Sequence, residues 1–436
     1  MKPFRFVHAA DLHLDSPFSG VGPLPERLRE RVFRSTFRAW DRIVALAIER
    51  QADAVLLAGD VFDSAERSLR ARLRFLRGLE RLADRGVPVF VVCGNHDPLE
   101  TVRGGLSWPD NVVVFGADRA EEVPVDRPGR GTVATVHGVS FAAPAVTDNL
   151  ARLFSRGRLD VCQVGLLHAN VDGQPGHDPY APCRLSDLLA ARLDYWALGH
   201  IHDRRVLWEG PPIVYPGNPQ GRNVKETGAK GCYWVEADES GQMTLSFCPT
   251  DDVRWFDVAV PLDGVSSLAG LRERLRERLN AVREEADGRG AIVRLTLTGR
   301  TSLYRELAET AFLEEWLADA QEREAESAAA SELDGGPFVW PAEVRLEAEA
   351  ALDRERLKAG GAFSGELLRL AEQWAALPDL ADRLARGPLA PLADGRASLF
   401  LRGWGAEHFR ELVRAASELA VSLLEEGADD GEGADG

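Results

Sequence analysis

Five short polar clusters, each directly after an apolar run, constrain this chain more than any other feature. They are Asp11-Leu12-His13, Gly59-Asp60, Gly94-Asn95-His96-Asp97, His168 and Gly199-His200-Ile201-His202. The runs before them are Phe4 to Ala10, Ala54 to Ala58, Val87 to Cys93, Val161 to Leu167 and Tyr195 to Leu198. Short apolar or β-branched runs bounded by Gly and polar residues read as buried strands. In open α/β sheets, residues at the carboxyl ends of strands line a common crevice. The pattern predicts one site assembled from five strand ends.

Asp, His and Asn, with no Cys, suit Mn(II), Fe or Zn rather than a soft thiolate site. Two such ions about 3.5–4 Å apart can clamp the attacking and leaving oxygens of a phosphoryl transfer, and they make water a nucleophile near neutral pH. That arrangement needs a shared carboxylate. Asp60 stands alone after Gly59, between the other groups in chain order, and is the natural bridge. The expected sets are Asp11, His13, Asp60 and His202 for one ion, and Asp60, Asn95, His168 and His200 for the other. His96, next to Asn95 on a tight turn, is expected to face the substrate phosphate and to protonate the leaving oxygen or stabilise charge. Asp97 is expected to orient His96. Asp63 reads as a helix N-cap or an acid beside the site, the N-cap being favoured. Gly59, Gly94 and Gly199 are expected to permit backbone angles that a side chain forbids. His8, His137, His177 and His408 read as structural or surface positions.

In this order the motifs resemble the calcineurin-like metallophosphoesterases. His8-Ala9-Ala10-Asp11-Leu12-His13-Leu14-Asp15 and Ala58-Gly59-Asp60-Val61-Phe62-Asp63 are similar to bacterial DNA-repair exonucleases of the SbcD type. Arg67-Ser68-Leu69-Arg70-Ala71 and Tyr215-Pro216-Gly217-Asn218-Pro219-Gln220-Gly221-Arg222 look like the YhaO branch of that group. The resemblance covers about residues 1–250. It implies an α/β fold, a four-layer α/β/β/α sandwich; the patterning after it reads as a small α+β capping domain and a helical C-terminal region. It further implies two Mn(II) ions, nuclease activity on DNA, a separate SMC-like ATPase as partner, and a tendency to form a homodimer. Some relatives carry a His where this chain has Asp63, so Asp63 takes no catalytic role from the resemblance.

A chain of 436 residues is long enough for two or three domains. The resemblance and the patterning place a nuclease domain at 1–250 and a small α+β unit at 251–300. A helical region follows at 301–424, and an acidic, Gly-rich tail at 425–436 is expected to be disordered. Within 405–424, Phe409, Leu412, Val413, Ala416, Leu419, Ala420 and Leu423 form one stripe, suited to the chain's own core or to the coiled coil of a partner. No apolar run approaches the ~20 residues of a membrane span, and the N-terminus does not read as a signal peptide. Five scattered Cys without a Cys-x-x-Cys suit a reducing cytoplasm.

A net charge of −17 looks wrong for a nuclease until it is divided. Residues 1–250 hold 30 basic and 31 acidic residues, whereas the remainder holds 22 and 38. The acid therefore lies in the C-terminal part. Two Arg series are candidates for phosphate contact: Arg27, Arg29, Arg31, Arg34, Arg38 and Arg42, and then Arg67, Arg70, Arg72, Arg74, Arg77, Arg81 and Arg85. Apolar residues alternate with them at helical spacing, so a solvated helix face is favoured for most. Arg67, Arg70 and Arg222, close in sequence to the ligand clusters, are the stronger DNA candidates. The same ligand set also serves a phosphomonoesterase or a cyclic-nucleotide phosphodiesterase. A DNA-end-binding scaffold that recruits an ATPase is a further alternative. No phosphate-binding Gly-x-x-x-x-Gly-Lys loop is present, so any ATP dependence must come from a partner.

Overall fold

The computed structural model describes residues 1–63, 68–103, 108–157, 160–174, 176, 178–330, 336–351, 354–360, 362–389 and 405–429. Arg67 and His177 lie outside these.

The apolar runs form strands as their composition demands. In chain order the first part contains β1 (Phe4–Ala9), α1 (Glu26–Glu49), β2 (Ala54–Ala58), α2 (Leu69–Ala83), β3 (Val89–Val92), α3 (Leu99–Arg103), β4 (Val112–Val114), β5 (Glu121–Arg127), β6 (Gly131–Val139), β7 (Cys162–His168), α4 (Leu185–Ala190), β8 (Tyr195–Gly199), β9 (Arg205–Glu209), β10 (Pro212–Tyr215), β11 (Gly231–Ala237) and β12 (Met243–Pro249). One six-stranded sheet runs β12-β11-β1-β2-β3-β4 and the other β5-β6-β7-β8-β10-β9. Strands β1 to β4 pair in parallel, as do β6, β7 and β8.

Because both faces of each sheet are covered toward its middle, the central strands are apolar on both sides. Val7, Val55, Leu57 and Val91 pack with Trp40, Ile43, Phe75 and Leu79 of α1 and α2 on one outer face. Phe6, Leu56, Phe90, Val136, Val164 and Ala197 fill the space between the sheets. Leu167, Trp196 and Leu198 meet Leu188 of α4 on the other outer face. The result is the expected α/β/β/α sandwich, with the carboxyl ends of β1, β2, β3, β7 and β8 at one edge.

Further along lie β13 (Val253–Pro261), α5 (Leu268–Glu285), β14 (Gly290–Thr298), β15 (Arg300–Thr301), α6 (Tyr304–Glu309), α7 (Phe312–Ala330), β16 (Phe338–Leu346) and β17 (Glu349–Ala350). Then come α8 (Arg354–Ala359), α9 (Phe363–Ala375), α10 (Leu380–Arg386) and α11 (Ala406–Asp429). Strands β13, β14 and β16 form a three-stranded sheet. Strand β16 falls inside the stretch expected to be helical. Its sequence, Phe-Val-Trp-Pro-Ala-Glu-Val-Arg-Leu, is rich in aromatic and β-branched residues and favours the pleated surface. Helix α11 runs past Glu425 as far as Asp429, into the segment expected to be disordered.

Two compact units emerge. The first comprises Met1–Val258, Arg276–Leu295 and Glu314–Val344, and the second Ala259–Leu275, Thr296–Leu313 and Arg345–Gly436. In the first unit, Leu28 and Val32 of α1 pack with Val253, Trp255, Ile292, Phe338 and Trp340. Arg31, Arg38 and Arg42 all reach the buried Asp252, at 3.2, 3.2 and 2.7 Å. Those three arginines of the first Arg series are thus structural. In the second unit, Phe409 and Val413 of α11 pack against Leu380 and Leu384 of α10, while Leu419 and Leu424 remain exposed. Among the described residues, no helix is long and apolar enough to cross a membrane.

Candidate metal centre

The turns after β1 and β2 are zipped together. The Asp11, His13 and Leu14 N–H groups donate to the carbonyls of Gly59, Asp60 and Val61, at 3.0 Å each. This requires unusual backbone. Asp11, His13, Asp15, Asp60 and His200 all have positive φ, at 53°, 41°, 69°, 51° and 101°. Left-handed backbone costs roughly 1–2 kcal/mol for a residue with a Cβ, and such outliers gather at functional sites. Of the three flanking glycines only Gly59 is left-handed, at φ 90°. Gly94 and Gly199 serve space instead: a Cβ at Gly94 would strike the Asp60 carboxylate, and one at Gly199 the Ala58 carbonyl.

These turns bring the ligand atoms together. Within each of three overlapping groups the atoms lie within 4.8 Å of one another: Asp11, His13 and His202; Asp11, Asp60 and His168; His13, Asp60 and His96. Nε2 of His13 is 3.2 Å from Nε2 of His202. Nε2 of His168 is 3.0 Å from Oδ1 of Asn95. One Asp60 oxygen accepts the His96 N–H at 2.9 Å. The other lies between His168 Nε2 and His13 Nε2, at 3.5 and 3.9 Å. That is the position a bridging carboxylate occupies.

The far nitrogens of three histidines fix which atom each of them offers. His168 Nδ1 is 2.9 Å from the Ala58 carbonyl, and His200 Nε2 is 2.8 Å from the Asp178 carbonyl. A carbonyl only accepts, so these nitrogens carry the protons and leave the ring lone pairs on His168 Nε2 and His200 Nδ1. His202 Nδ1 lies 2.8 Å from Glu226 Oε1, which leaves its Nε2 facing His13.

Electrostatics agree with a cation site. Burial and the neighbouring Asp60 carboxylate push Asp11 well above its usual range and raise Asp97 to about 7. Burial, with Arg222 and the other histidines, holds His13 well below its usual value. Crowded buried acids among neutral imidazoles gain from divalent cations. The oxygen and nitrogen donors, all buried but Asn95 and His202, fit two divalent ions, which Asp11, His13, Asp60 and His202 on one side and Asp60, Asn95, His168 and His200 on the other would hold.

His96 sits at the rim, its side chain 36% exposed. The acid facing it is Asp63, whose Oδ1 is 3.4 Å from His96 Nδ1. This hydrogen bond raises the His96 pKa against the opposing effect of burial. The pairing of His96 with Asp97 expected from sequence gives way to this one. Asp97 is committed elsewhere, because its two oxygens accept the N–H groups of Asp60, Val61, Phe62 and Gly94 at 2.7 to 3.2 Å. The N-cap of α2 is Ser68 rather than Asp63.

Arg70 is ion-paired with the buried Asp15, its guanidinium lying over Phe33 and Phe37. Arg222 reaches Ser16 Oγ at 3.1 Å, Glu226 at 3.3 Å and Asp63 at 3.8 Å. It is therefore part of the site rather than a loose loop cation. Sequence reading missed Glu226 altogether. Burial works to raise this carboxyl, yet its hydrogen bond to His202 and the Arg222 charge prevail and hold it well below the usual range.

Residues 4–204 match the calcineurin-like phosphoesterase family, and residues 255–349 match the middle domain of the metallophosphoesterase YhaO. The chain is 38% identical over 350 residues to the uncharacterized metallophosphoesterase YhaO of Bacillus subtilis (strain 168), an alignment covering 80% of this chain and 82% of that protein. This chain is a calcineurin-like metallophosphoesterase. Members of this family are hydrolases with a dimetal centre, and the converging donors are where this metallophosphoesterase would hold it. More distant similarity extends to the SbcD component of the SbcCD nuclease of the same Bacillus, 24% identical over 274 residues, 55% of this chain and 68% of the relative. It also extends to the DNA double-strand break repair protein Mre11 of Sulfurisphaera tokodaii, 26% identical over 294 residues, 66% and 70%.

Proposed function

We propose that this metallophosphoesterase is a two-metal DNA nuclease acting in repair. The observation that carries the reading is the placement of Asp60 Oδ2 between the two ligand groups, with His96 at the open rim. The relatives named as a nuclease component and as break-repair proteins direct it to DNA. When bound, a pair of divalent ions polarises the phosphoryl oxygens and lowers the pKa of water to near neutral.

The chain's own residues supply the rest. His96, hydrogen-bonded to Asp63, faces the phosphate and donates a proton to the leaving oxygen. Arg222, lodged between Ser16 and Glu226, adds positive charge beside the phosphate. Mn(II) is the proposed metal, since oxygen and imidazole donors accept it and its choice rests on availability rather than affinity. The proposed partner is an SMC-like ATPase, in a cytoplasmic setting. Exposed Phe363, Leu370 and Trp374 on α9 offer it an apolar face.

The test is digestion of linear double- and single-stranded DNA by the purified chain with Mn(II), Mg(II) or EDTA, beside Asp60→Ala. Mn-dependent cleavage, lost in the variant, is the expected result. Intact DNA with cleavage of bis-p-nitrophenyl phosphate would redirect the site to a small phosphodiester or phosphomonoester. Repair restored in a null strain by a His96 variant would make the chain a DNA-end-binding scaffold.

A further inference from the structure

The three far-side hydrogen bonds behind His168, His200 and His202 are not alike. Two go to backbone carbonyls, Ala58 and Asp178. The third goes to a carboxylate, Glu226. A carboxylate behind a metal-binding imidazole raises its basicity more than a neutral carbonyl does, and fixes the ring as well.

Glu226 is built into place. Its side chain is 8% exposed. Oε2 accepts from Asn218 Nδ2 at 3.0 Å and from the Arg222 N–H at 2.7 Å. Oε1 takes the His202 Nδ1–H at 2.8 Å, with an Arg222 guanidinium nitrogen at 3.3 Å. The loop that carries Glu226 also clasps the backbone behind His202. The Asn218 N–H and Lys230 Nζ both donate to the His202 carbonyl, at 3.3 and 3.0 Å. At Gly221 a Cβ would come within 2.6 Å of the Glu226 carbonyl, so the loop can close only with glycine there.

We infer that Glu226 is a positioning residue that makes the two metal sites unequal, by locking His202 with its proton on Nδ1 and strengthening Nε2 as a ligand. The inference rests on the two-metal reading of the site but not on DNA as substrate. Glu226 thereby strengthens the site held by Asp11, His13, Asp60 and His202 and not the other. The same carboxylate anchors Arg222, so one residue sets both a ligand and the cation beside it.

Two variants of the full chain test this, with Mn(II) alone as the probe in calorimetric titration. Wild type binds two ions. In Glu226→Ala one site should weaken by about 10–100-fold while the other keeps its affinity. Glu226→Gln retains an acceptor oxygen but not the charge, and should fall between the two. In the metal-free protein, nitrogen NMR of the histidine rings should show His202 protonated on Nδ1 in wild type and in Glu226→Gln, with that preference lost in Glu226→Ala. Unchanged affinity at both sites with an unchanged His202 signal overturns the inference, as does equal weakening of both sites. If Glu226→Ala does not fold, Glu226→Gln decides: a loss at one site supports the inference and no loss at either overturns it. A wild type that binds no Mn(II) overturns this inference and the proposed function together.

Discussion

Asp63 Oδ1 lies 3.4 Å from His96 Nδ1, although 33 positions separate the two residues in the chain. The contact engages one ring nitrogen of His96 and leaves Nε2 for the substrate. Asp63→Asn should lower turnover by about 10–100-fold without loss of bound metal, on the scale of losing a partner that orients a functional histidine. His96→Asn should lower it more, and the double variant should be no worse than His96→Asn alone. Steady-state rates with metal analysis of each variant check this, and additive losses would separate the two residues.

Asp97 should prove structural. Its carboxylate closes four backbone N–H groups from two turns, and an amide nitrogen in its place would face donors with a donor. Asp97→Asn should cost about 2–4 kcal/mol of stability, since buried donors left unpaired are expensive. Urea denaturation measures it. A variant as stable as wild type but inactive would return Asp97 to the chemistry.

Metal should stabilise the fold as well as enable hydrolysis. Asp11, Asp60 and Asp97 are buried together, and cations relieve their repulsion. At a free concentration 100 times the dissociation constant, each site should add about 2.7 kcal/mol. Thermal melts with and without EDTA should therefore differ by several degrees. Coincident melts would mean that the donors do not hold metal in the native state.

His8 gives a pH dependence of its own. Its Nε2 donates to the Leu198 carbonyl at 3.1 Å, and its Nδ1 accepts from the Tyr195 hydroxyl at 3.0 Å. Both bonds belong to the neutral ring, and burial lowers its pKa to about 3. The unfolded chain takes up that proton near pH 6.5. The stability from a neutral His8 is therefore whole above pH 6.5 and is lost as pH falls toward 3, by at most about 1.4 kcal/mol per pH unit. The slope of unfolding free energy between pH 6 and 4 should be shallower in His8→Gln. Equal slopes would mean that His8 is charged in the fold.

What could be read from the sequence was whatever lies within a few residues. The candidate donors stand at strand ends, so Asp11, Asp60, Asn95, His168 and His202 and the strands before them were visible together. Strand β5, Glu-Glu-Val-Pro-Val-Asp-Arg, was not, because as an edge strand it carries charge and a proline. Adjacency also misled. Asp97 follows His96, but successive residues on a tight turn point apart. The partner of His96 comes from the turn after β2, and the partner of His202 from a Gly- and Pro-rich loop. Such meetings depend on how turns lie side by side, which no local pattern encodes.

The left-handed turns have an evolutionary edge. Asp11, His13, Asp15, Asp60 and His200 are all places where glycine would relax the backbone. Selection of this chain for heat resistance alone would therefore be drawn first to the positions that its chemistry can least spare. A lineage that no longer needed hydrolysis should drift toward glycine there, and a sturdier, silent descendant would carry that mark.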